Sequence, residues 1–282
     1  MRKIKELVIE KSLLSSALIT IAVTIGIVLV LAIEAVQFFS EVSILDFLTD
    51  TQWTPLFTDK HYGILPLLSG TLLTSFIAIS VALPIGLSIS IYLSEYAPKS
   101  FRKTVKPLLE LLAAVPTVVY GFFALIVVTP FLQQIIPGLS GFNSLSAGFV
   151  MGIMIIPYIS SISEDALHAV PNALREASFG MGATKLQTAF KVVVPAASSG
   201  IIVSIILAIS RAIGETMIVA VAAGQQPRLT LDPTVPVETI TAYIVQVSLG
   251  DVEHGSVEYR TIFAAGITLF VFTFLLNTLS YR

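Results

Sequence analysis

Long apolar stretches recur along the chain and alternate with short polar segments. Six of them are long enough to cross a bilayer, since a spanning helix needs about 20 mostly apolar residues. They lie at 13–36, 64–93, 108–132, 144–162, 196–222 and 261–279. An open sheet would leave backbone groups unpaired in lipid, so each stretch is predicted to be a helix. The pattern predicts an all-α, polytopic membrane protein with six transmembrane helices.

Composition agrees with a chain whose surroundings are a lipid bilayer. Of 282 residues, 55% are hydrophobic and only 12% are charged, whereas a soluble domain carries about a quarter charged residues. The net charge of −2 gives no electrostatic support for a nucleic-acid partner. Cysteine is absent, and the three histidines (His61, His168 and His254) form no metal-binding spacing. No nucleic acid and no metal is therefore expected.

Basic residues concentrate on one side of the predicted spans. They occur before the first span, in the loops after the second and fourth spans, and at the C-terminal Arg282. Because cytoplasmic loops carry the excess of Lys and Arg, both termini are predicted to be cytoplasmic. The first apolar run is too long for a signal-peptide core, so it is predicted to be a retained anchor. This describes a multi-pass protein of a bacterial cell membrane.

Prolines inside several spans indicate an irregular bundle. Pro84, Pro116 and Pro157 fall within predicted spans. Proline removes a backbone hydrogen bond and kinks a helix, which membrane bundles tolerate. Ordinary bundle packing and a moving hinge both remain open.

The polar segment 164–195, between the fourth and fifth spans, predicts a short cytoplasmic helix. Pro171 is suited to its start, Gly180 and Gly182 to its end, and Thr184 to the cap of the next helix. Its weakly apolar face comprises Leu174, Ala177, Ser178 and Met181, at i, i+3, i+4 and i+7. Such a helix could dock into a groove on a soluble partner or lie flat on the membrane, and periodicity alone does not separate the two.

The spacing within this loop resembles the cytoplasmic signature of ABC importer permeases. That signature is Glu-Ala-Ala, three residues, Gly, nine residues, then aliphatic, any residue, aliphatic and Pro. The matching residues are Glu176, Ala177, Ser178, Gly182, Val192, Val194 and Pro195. Ser178 replaces the second Ala, and Val192 and Val194 replace Ile and Leu, all conservatively.

The resemblance implies a type I importer permease fold and a coupling helix that sits in a cleft of an ATPase subunit. The residues it assigns to coupling are Leu174, Arg175, Glu176, Ala177, Ser178, Gly182 and Ala183. No phosphate-binding GxxxxGK[ST] loop occurs. The chain is therefore expected to be no enzyme and to hold no cofactor, with ATP bound by a dimer of partner ATPase subunits. Residues 1–62 are predicted to form an anchor and outer loop, and residues 63–282 the permease domain.

The fifth span contains two opposite charges. Arg211 and Glu215 share a helix face at i and i+4, flanked by Ser210 and Thr216. A charge at the bilayer centre costs about 2.5–3.5 kcal/mol on insertion scales, so both charges need a reason to be there. These four residues are candidates for lining a translocation path. A purely structural ion pair is the alternative.

Three segments sharpen the resemblance to the permeases of high-affinity phosphate importers: RAIGETM at 211–217, YLSEYAP at 92–98 and PTVVYGF at 116–122. LFVFTFLLN at 269–277 resembles the PstC branch more than the sister PstA branch. The resemblance implies a heterodimer with a PstA-like permease and a separate periplasmic or lipid-anchored phosphate-binding protein. Arg offers a planar fork of donors to an oxyanion, and a carboxylate such as Glu215 could accept the proton that phosphate still carries.

Two outer segments and several alternatives complete the predictions. Ile240, Ile244 and Val247 predict a short outer helix that either meets the binding protein or caps the bundle, and Trp53 and Tyr62 are interpreted as interface anchors. The alternatives are an ABC permease for sulfate, molybdate or an amino acid, and a non-ABC carrier. A membrane enzyme is disfavoured because no span contains a catalytic set.

Overall fold

The computed structural model describes residues 2–280, with side chains from residue 6 to residue 278. Arg282, and the side chains of Arg2, Lys3 and Lys5, lie outside what is described. Within this range the chain is helical apart from loops and two isolated bridges, which confirms the all-α prediction. The helices are α1 (Arg2–Glu41), α2 (Ile44–Thr49), α3 (Leu65–Tyr96), α4 (Lys99–Ala114), α5 (Thr117–Gln133), α6 (Ser144–His168), α7 (Asn172–Gly180), α8 (Lys185–Ala196), α9 (Ser198–Ile213), α10 (Met217–Ala222), α11 (Ile240–Leu249) and α12 (Val257–Ser280).

Four of the predicted spans correspond to single long apolar helices. α1, α3, α6 and α12 are each long and apolar enough to cross a membrane. α1 packs along α12 and its outward side is exposed, as expected of a helix in lipid. Counting each of two bent helix pairs as one span raises the number to as many as six.

The two remaining spans are not straight helices, so the prediction of continuous helices at 108–132 and 196–222 is wrong. α4 and α5 meet at 85°, because Pro116 forces the preceding Val115 into an extended conformation. α8 and α9 meet at 72° around Ala197, and the helix breaks again after Ile213. Hydropathy does not detect either bend, because both sides of each break are apolar.

The centre of the bundle is the close packing of α3 against α6. Gly86, Gly148 and Gly152 allow the two backbones to approach, since a Cβ built on Gly152 would lie 2.8 Å from the carbonyl oxygen of Ala78. Lipid tails are as apolar as the side chains, so contact of small residues, rather than the hydrophobic effect, holds spanning helices together. Buried residues of both helices, such as Ala82 on α3 and Met151 on α6, continue this core.

The outer segments fold onto the bundle around a cluster of aromatic residues. α11 forms where predicted, with the Thr239 hydroxyl capping its start and Gly250 following its end. Trp53 is buried and packs edge-on against Tyr243, with ring centroids 5.0 Å apart. The interpretation of Trp53 as a membrane-interface anchor is therefore wrong. Its indole belongs to the core beneath the outer loops.

We expect substitution of Gly152 by Val to destabilise the bundle by about 1–3 kcal/mol, the usual cost of overpacking a filled core. The added methyl groups would clash with Ala78 and Val81 on α3. Gly26→Val is the matched control, because no atom lies within 4 Å of a Cβ built at Gly26 on α1. The measurement is thermal unfolding of the purified chain in detergent. Equal unfolding temperatures for the two variants would contradict the packing described here.

Candidate coupling loop and intramembrane charge pair

The loop between α6 and α9 forms the short helix that its sequence predicts. α7 begins after Pro171 and ends at Gly180, and Gly182 follows with a φ of +83°, a backbone conformation that side chains rarely adopt. The hydroxyl of Thr184 accepts a hydrogen bond from the backbone N–H of Gln187. The side-chain oxygen of Gln187 in turn accepts the backbone N–H of Thr184, which completes a capping box. The predicted helix, turn and second cap are confirmed. The loop is a defined helix-turn-helix unit.

A buried ion pair attaches α7 to the spanning helices. The guanidinium of Arg175 donates to both carboxylate oxygens of Glu95, at 2.8 and 3.2 Å, with only 14% and 7% of the two side chains exposed. The same guanidinium donates to the carbonyl oxygens of Leu167 (2.9 Å) and Val170 (2.6 Å). Charge-assisted bonds of this kind are strong and directional. Arg175 therefore faces the bundle rather than a docking partner.

Glu95 is the partner of a predicted coupling residue, Arg175, and sequence reasoning did not identify it. It lies in the last turn of α3, which is a π-helical turn at Tyr92–Tyr96 within the YLSEYAP segment. Turns of this type occur often at functional sites. The available signal was a single acid at the end of an otherwise apolar span. Its partner, 80 residues further along the chain, was not apparent from local spacing.

The other side of α7 is open. Ser178 is buried and its hydroxyl bonds that of Thr188 at 2.9 Å, which holds α7 against α8. Leu174, Glu176 and Ala177 are exposed. Phe179 and Met181 add exposed apolar surface. Of the predicted apolar face, all but Ser178 is therefore free to contact another molecule.

A small apolar cluster connects this loop to the spanning helix that follows. Val193 at the end of the signature packs with Leu167, Val170, Ala197 and Ile201. These residues belong to the end of α6, the loop, and both sides of the α8–α9 bend. The cluster thus packs the end of α6 against both sides of the α8–α9 bend.

Arg211 and Glu215 do meet, but at a helix break. An Arg211 guanidinium nitrogen lies 3.6 Å from a Glu215 carboxylate oxygen, with α9 already ended at Ile213. Glu215 is buried, and its carboxylate accepts the backbone N–H of Met217 at 3.2 Å, at the start of α10. Its backbone carbonyl accepts the hydroxyl of Thr241 at 2.6 Å. The acid is thereby fixed in place by contacts with α10 and α11.

Arg211 is held less tightly than its partner. The side chain is 39% exposed against 2% for Glu215, and its guanidinium carbon lies 5.9 Å from the ring centroid of Tyr158. Its buried Nε has no hydrogen-bond partner among the described residues. The neighbouring Ser210 donates to Asn277 on α12 at 3.0 Å, and Thr216 makes only a weak contact with the Gly214 carbonyl, at 3.4 Å. The structure thus pairs two of the four candidates and turns Ser210 towards α12.

Another buried carboxyl, not predicted from sequence, belongs to Glu238 in the segment before α11. Glu238 precedes α11 and lines a cavity of about 160 Å³ together with Trp53 and Tyr243. Burial raises the pKa of Glu238 to about 8, so this carboxyl is mostly protonated at neutral pH. No periodicity or motif marks it in the Pro- and Thr-rich outer segment.

Comparison with known proteins agrees with this geometry. The family model of the binding-protein-dependent transport system inner membrane component matches residues 82–282. The probable ABC transporter permease protein YqgH of Bacillus subtilis is 37% identical over 261 residues, covering 92% of this chain and 84% of that protein. The phosphate transport system permease protein PstC of Mesorhizobium japonicum is 36% identical over 249 residues, covering 82% and 75%.

Solved structures share the fold at low sequence identity. A bacterial alginate ABC transporter in complex with its periplasmic protein aligns with a TM-score of 0.60 at 18% identity, over 88% of this chain and 85% of that one. The inward-facing methionine transporter MetNI aligns with a TM-score of 0.56 at 20% identity, over 78% and 92%. The chain belongs to the family of inner membrane components of binding-protein-dependent transport systems.

Proposed function

We propose that this chain is a PstC-like permease subunit of an ATP-driven, binding-protein-dependent phosphate importer and forms half of its translocation path. A PstA-like sister permease supplies the other half, and a phosphate-binding protein delivers the solute. ATP is bound by a separate ATPase dimer. The family membership supports the permease role, and the similarity to PstC supports the solute.

The observation that carries the solute proposal is the open guanidinium of Arg211 beside the buried carboxylate of Glu215. A partly exposed charge within a span is costly against lipid, so its open side faces a polar path or the sister subunit. The planar fork of Arg matches a tetrahedral oxyanion. Glu215 accepts the proton that phosphate retains near neutral pH and repels sulfate, which carries none.

The open face of α7 is proposed to dock on the ATPase. Leu174, Glu176 and Ala177 present this face, and the turn at Gly182 and Ala183 fixes its angle to α8. Arg175 and Ser178 act indirectly, through Glu95 and Thr188, by making the helix rigid with the bundle. ATP-driven closure of the ATPase dimer then moves α6 and α9 together through the cluster around Val193.

Both termini and the α7 loop are proposed to lie in the cytoplasm, with each bent helix pair counted as one span, which gives six. The bias of Lys and Arg towards one side supports this arrangement. α4 then lies along the cytoplasmic surface while α5 crosses, because the two helices meet at 85°.

Arg211→Gln and Glu215→Gln should each lower uptake of radiolabelled phosphate about tenfold or more. Each change removes a charged partner, and hydrogen bonds to charged groups contribute about 1.5–3 kcal/mol. Uptake is measured in cells that lack other phosphate importers and carry the assembled complex. Arg211→Lys, which keeps the charge but not the fork, should be intermediate.

Lys11→Gln and Glu10→Gln are the matched controls, since they remove the same charges from the exposed start of α1. Both should transport normally. Normal phosphate uptake by correctly assembled Arg211→Gln would remove the path role. If the wild type took up labelled sulfate in place of phosphate, the proposal that phosphate is the solute would be refuted, while the permease role would stand.

Arg175→Gln should uncouple transport from ATP hydrolysis, because it leaves Glu95 buried without its counter-charge. Removing one partner of a buried pair costs on the order of 3 kcal/mol. The measurement is phosphate taken up per ATP hydrolysed in reconstituted complexes. Lys11→Gln is the control, because it removes a cation from the exposed start of α1, away from Glu95. The double variant Glu95→Gln/Arg175→Gln should recover part of the loss, and a double variant no better than the single one would contradict an ion-pair role.

The orientation can be tested with single cysteines, because the native chain contains none. Met181→Cys on the α7 loop and Leu231→Cys in the outer segment are matched, with 86% and 83% of the native side chains exposed. A membrane-impermeant maleimide should label only Leu231→Cys in spheroplasts of cells expressing the chain alone. Both should be labelled once the membrane is permeabilised. Labelling of Met181→Cys in intact spheroplasts would invert the topology.

A further inference from the structure

α4 carries a charged stripe that the transport mechanism does not use. Its charged residues fall on one face at i, i+3, i+4, i+7 and i+11: Lys99, Arg102, Lys103, Lys106 and Glu110. No residue of this helix is buried. Arg102, Val105, Lys106 and Leu109 are half-buried, so charged and apolar side chains together form its contact with the bundle.

The charged face borders a cavity. Lys99, Arg102, Lys103 and Lys106 line a space of about 510 Å³, which is closed on one side by His168 at the end of α6. Glu110 is the single acid in this lining. The N-terminal turn of α4, with Lys99 at its first position, adds the partial positive charge of its free amides. The lining therefore carries more positive than negative side chains.

Two of the four cations are already neutralised and two are not. Arg102 and Lys106 both pair with the buried Glu164, and Lys106 also bonds Asp165 at 2.5 Å. Lys99 and Lys103 are exposed and make no hydrogen bond or ion pair with any described residue. The acid-paired residues hold α4 in place, and the free lysines remain available to an anion.

Exposed apolar side chains lie on the opposite flank of the same helix. Phe101, Leu108, Leu111 and Leu112 all point away from the bundle. Since α5 turns by 85° to cross the membrane, α4 lies along the membrane surface with these side chains at the level of the acyl chains. Pro107, which lines the cavity, and the exposed Leu111 follow Lys103 at i+4 and i+8, so an anion bound at Lys99 and Lys103 would have an apolar surface next to it.

We propose that this cavity binds the phosphate headgroup of an anionic phospholipid, with the acyl chains on the apolar flank of α4. Basic pockets beside spanning helices are suited to such headgroups. A free phosphate ion would satisfy Lys99 and Lys103 equally but would leave the apolar flank uncovered. The leaflet is the cytoplasmic one in the proposed orientation, and the site does not depend on which solute is carried.

Bound lipid would restrain the joint between α4 and α5. The headgroup would lie beside Arg102 and Lys106, which form ion pairs with Glu164. Glu164 is near the end of α6, eight residues before α7 begins. Occupancy of the site thus stabilises the end of the bundle from which the coupling loop emerges.

The test is lipid titration of the purified full chain, monitored by native mass spectrometry, with phosphatidylglycerol or phosphatidylcholine of identical acyl chains. A lysine near anionic headgroups changes binding about fivefold, so Lys99→Gln/Lys103→Gln should weaken phosphatidylglycerol binding about 30-fold. Phosphatidylcholine binding should be unchanged. The control Lys11→Gln/Lys191→Gln removes the same charge from exposed residues outside the cavity and should stay within twofold of the wild type.

Each remaining outcome overturns the proposal. Equal binding of the two lipids by the wild type, or an unchanged preference in Lys99→Gln/Lys103→Gln, would show that no headgroup site exists. Displacement of phosphatidylglycerol by an equal concentration of inorganic phosphate would identify a free-anion site instead. Thermal unfolding of both double variants checks that they are folded, and failure of the phosphate-uptake experiments leaves this result untouched.

Discussion

The ion pair between Arg175 and Glu95 is the interaction on which the arrangement of the α7 loop against the bundle depends. It joins α7 to the end of α3. The same guanidinium donates hydrogen bonds to backbone carbonyl groups that have no helical partner where α6 ends. The Ser178–Thr188 hydrogen bond is a second attachment, which holds α7 against α8. Force applied to α7 by a partner moves the bundle only if the attachment is rigid, because pulling on a loosely tethered helix would move that helix alone.

Charged side chains occur where the helices of this bundle break. Arg175 satisfies carbonyl groups of Leu167 and Val170, and Glu215 satisfies the amide of Met217 after α9 has ended. A break inside or at the edge of a membrane frees backbone groups that water does not reach, and each must find a partner. Charges at breaks are therefore partly structural, even where they also serve transport.

The limits of sequence reasoning follow from this placement. Hydropathy correctly located four straight spans and the motif correctly located α7, because both signals are local. The bend at Val115 and the break at Gly214 were missed because the residues on either side remain apolar. Arg175 was assigned to coupling without its partner, and Glu95 was not identified, because their contact joins α3 to a loop far along the chain. Trp53 was misplaced for the same reason, since its burial depends on Tyr243.

Among these charged groups, the Arg211 guanidinium is the one with hydrogen-bonding capacity left over. Arg175 and Glu95 neutralise each other in an ion pair. The Glu215 carboxylate accepts the backbone N–H of Met217 and lies beside Arg211. Arg211 makes one long contact with Glu215, and its Nε has no partner among the described residues. An ion pair formed only to neutralise two charges would bury both, since exposing the cation within the span forfeits much of the gain. The asymmetry between a fixed acid and an open base is what an anion path requires, because the base is left with hydrogen-bonding capacity for a solute.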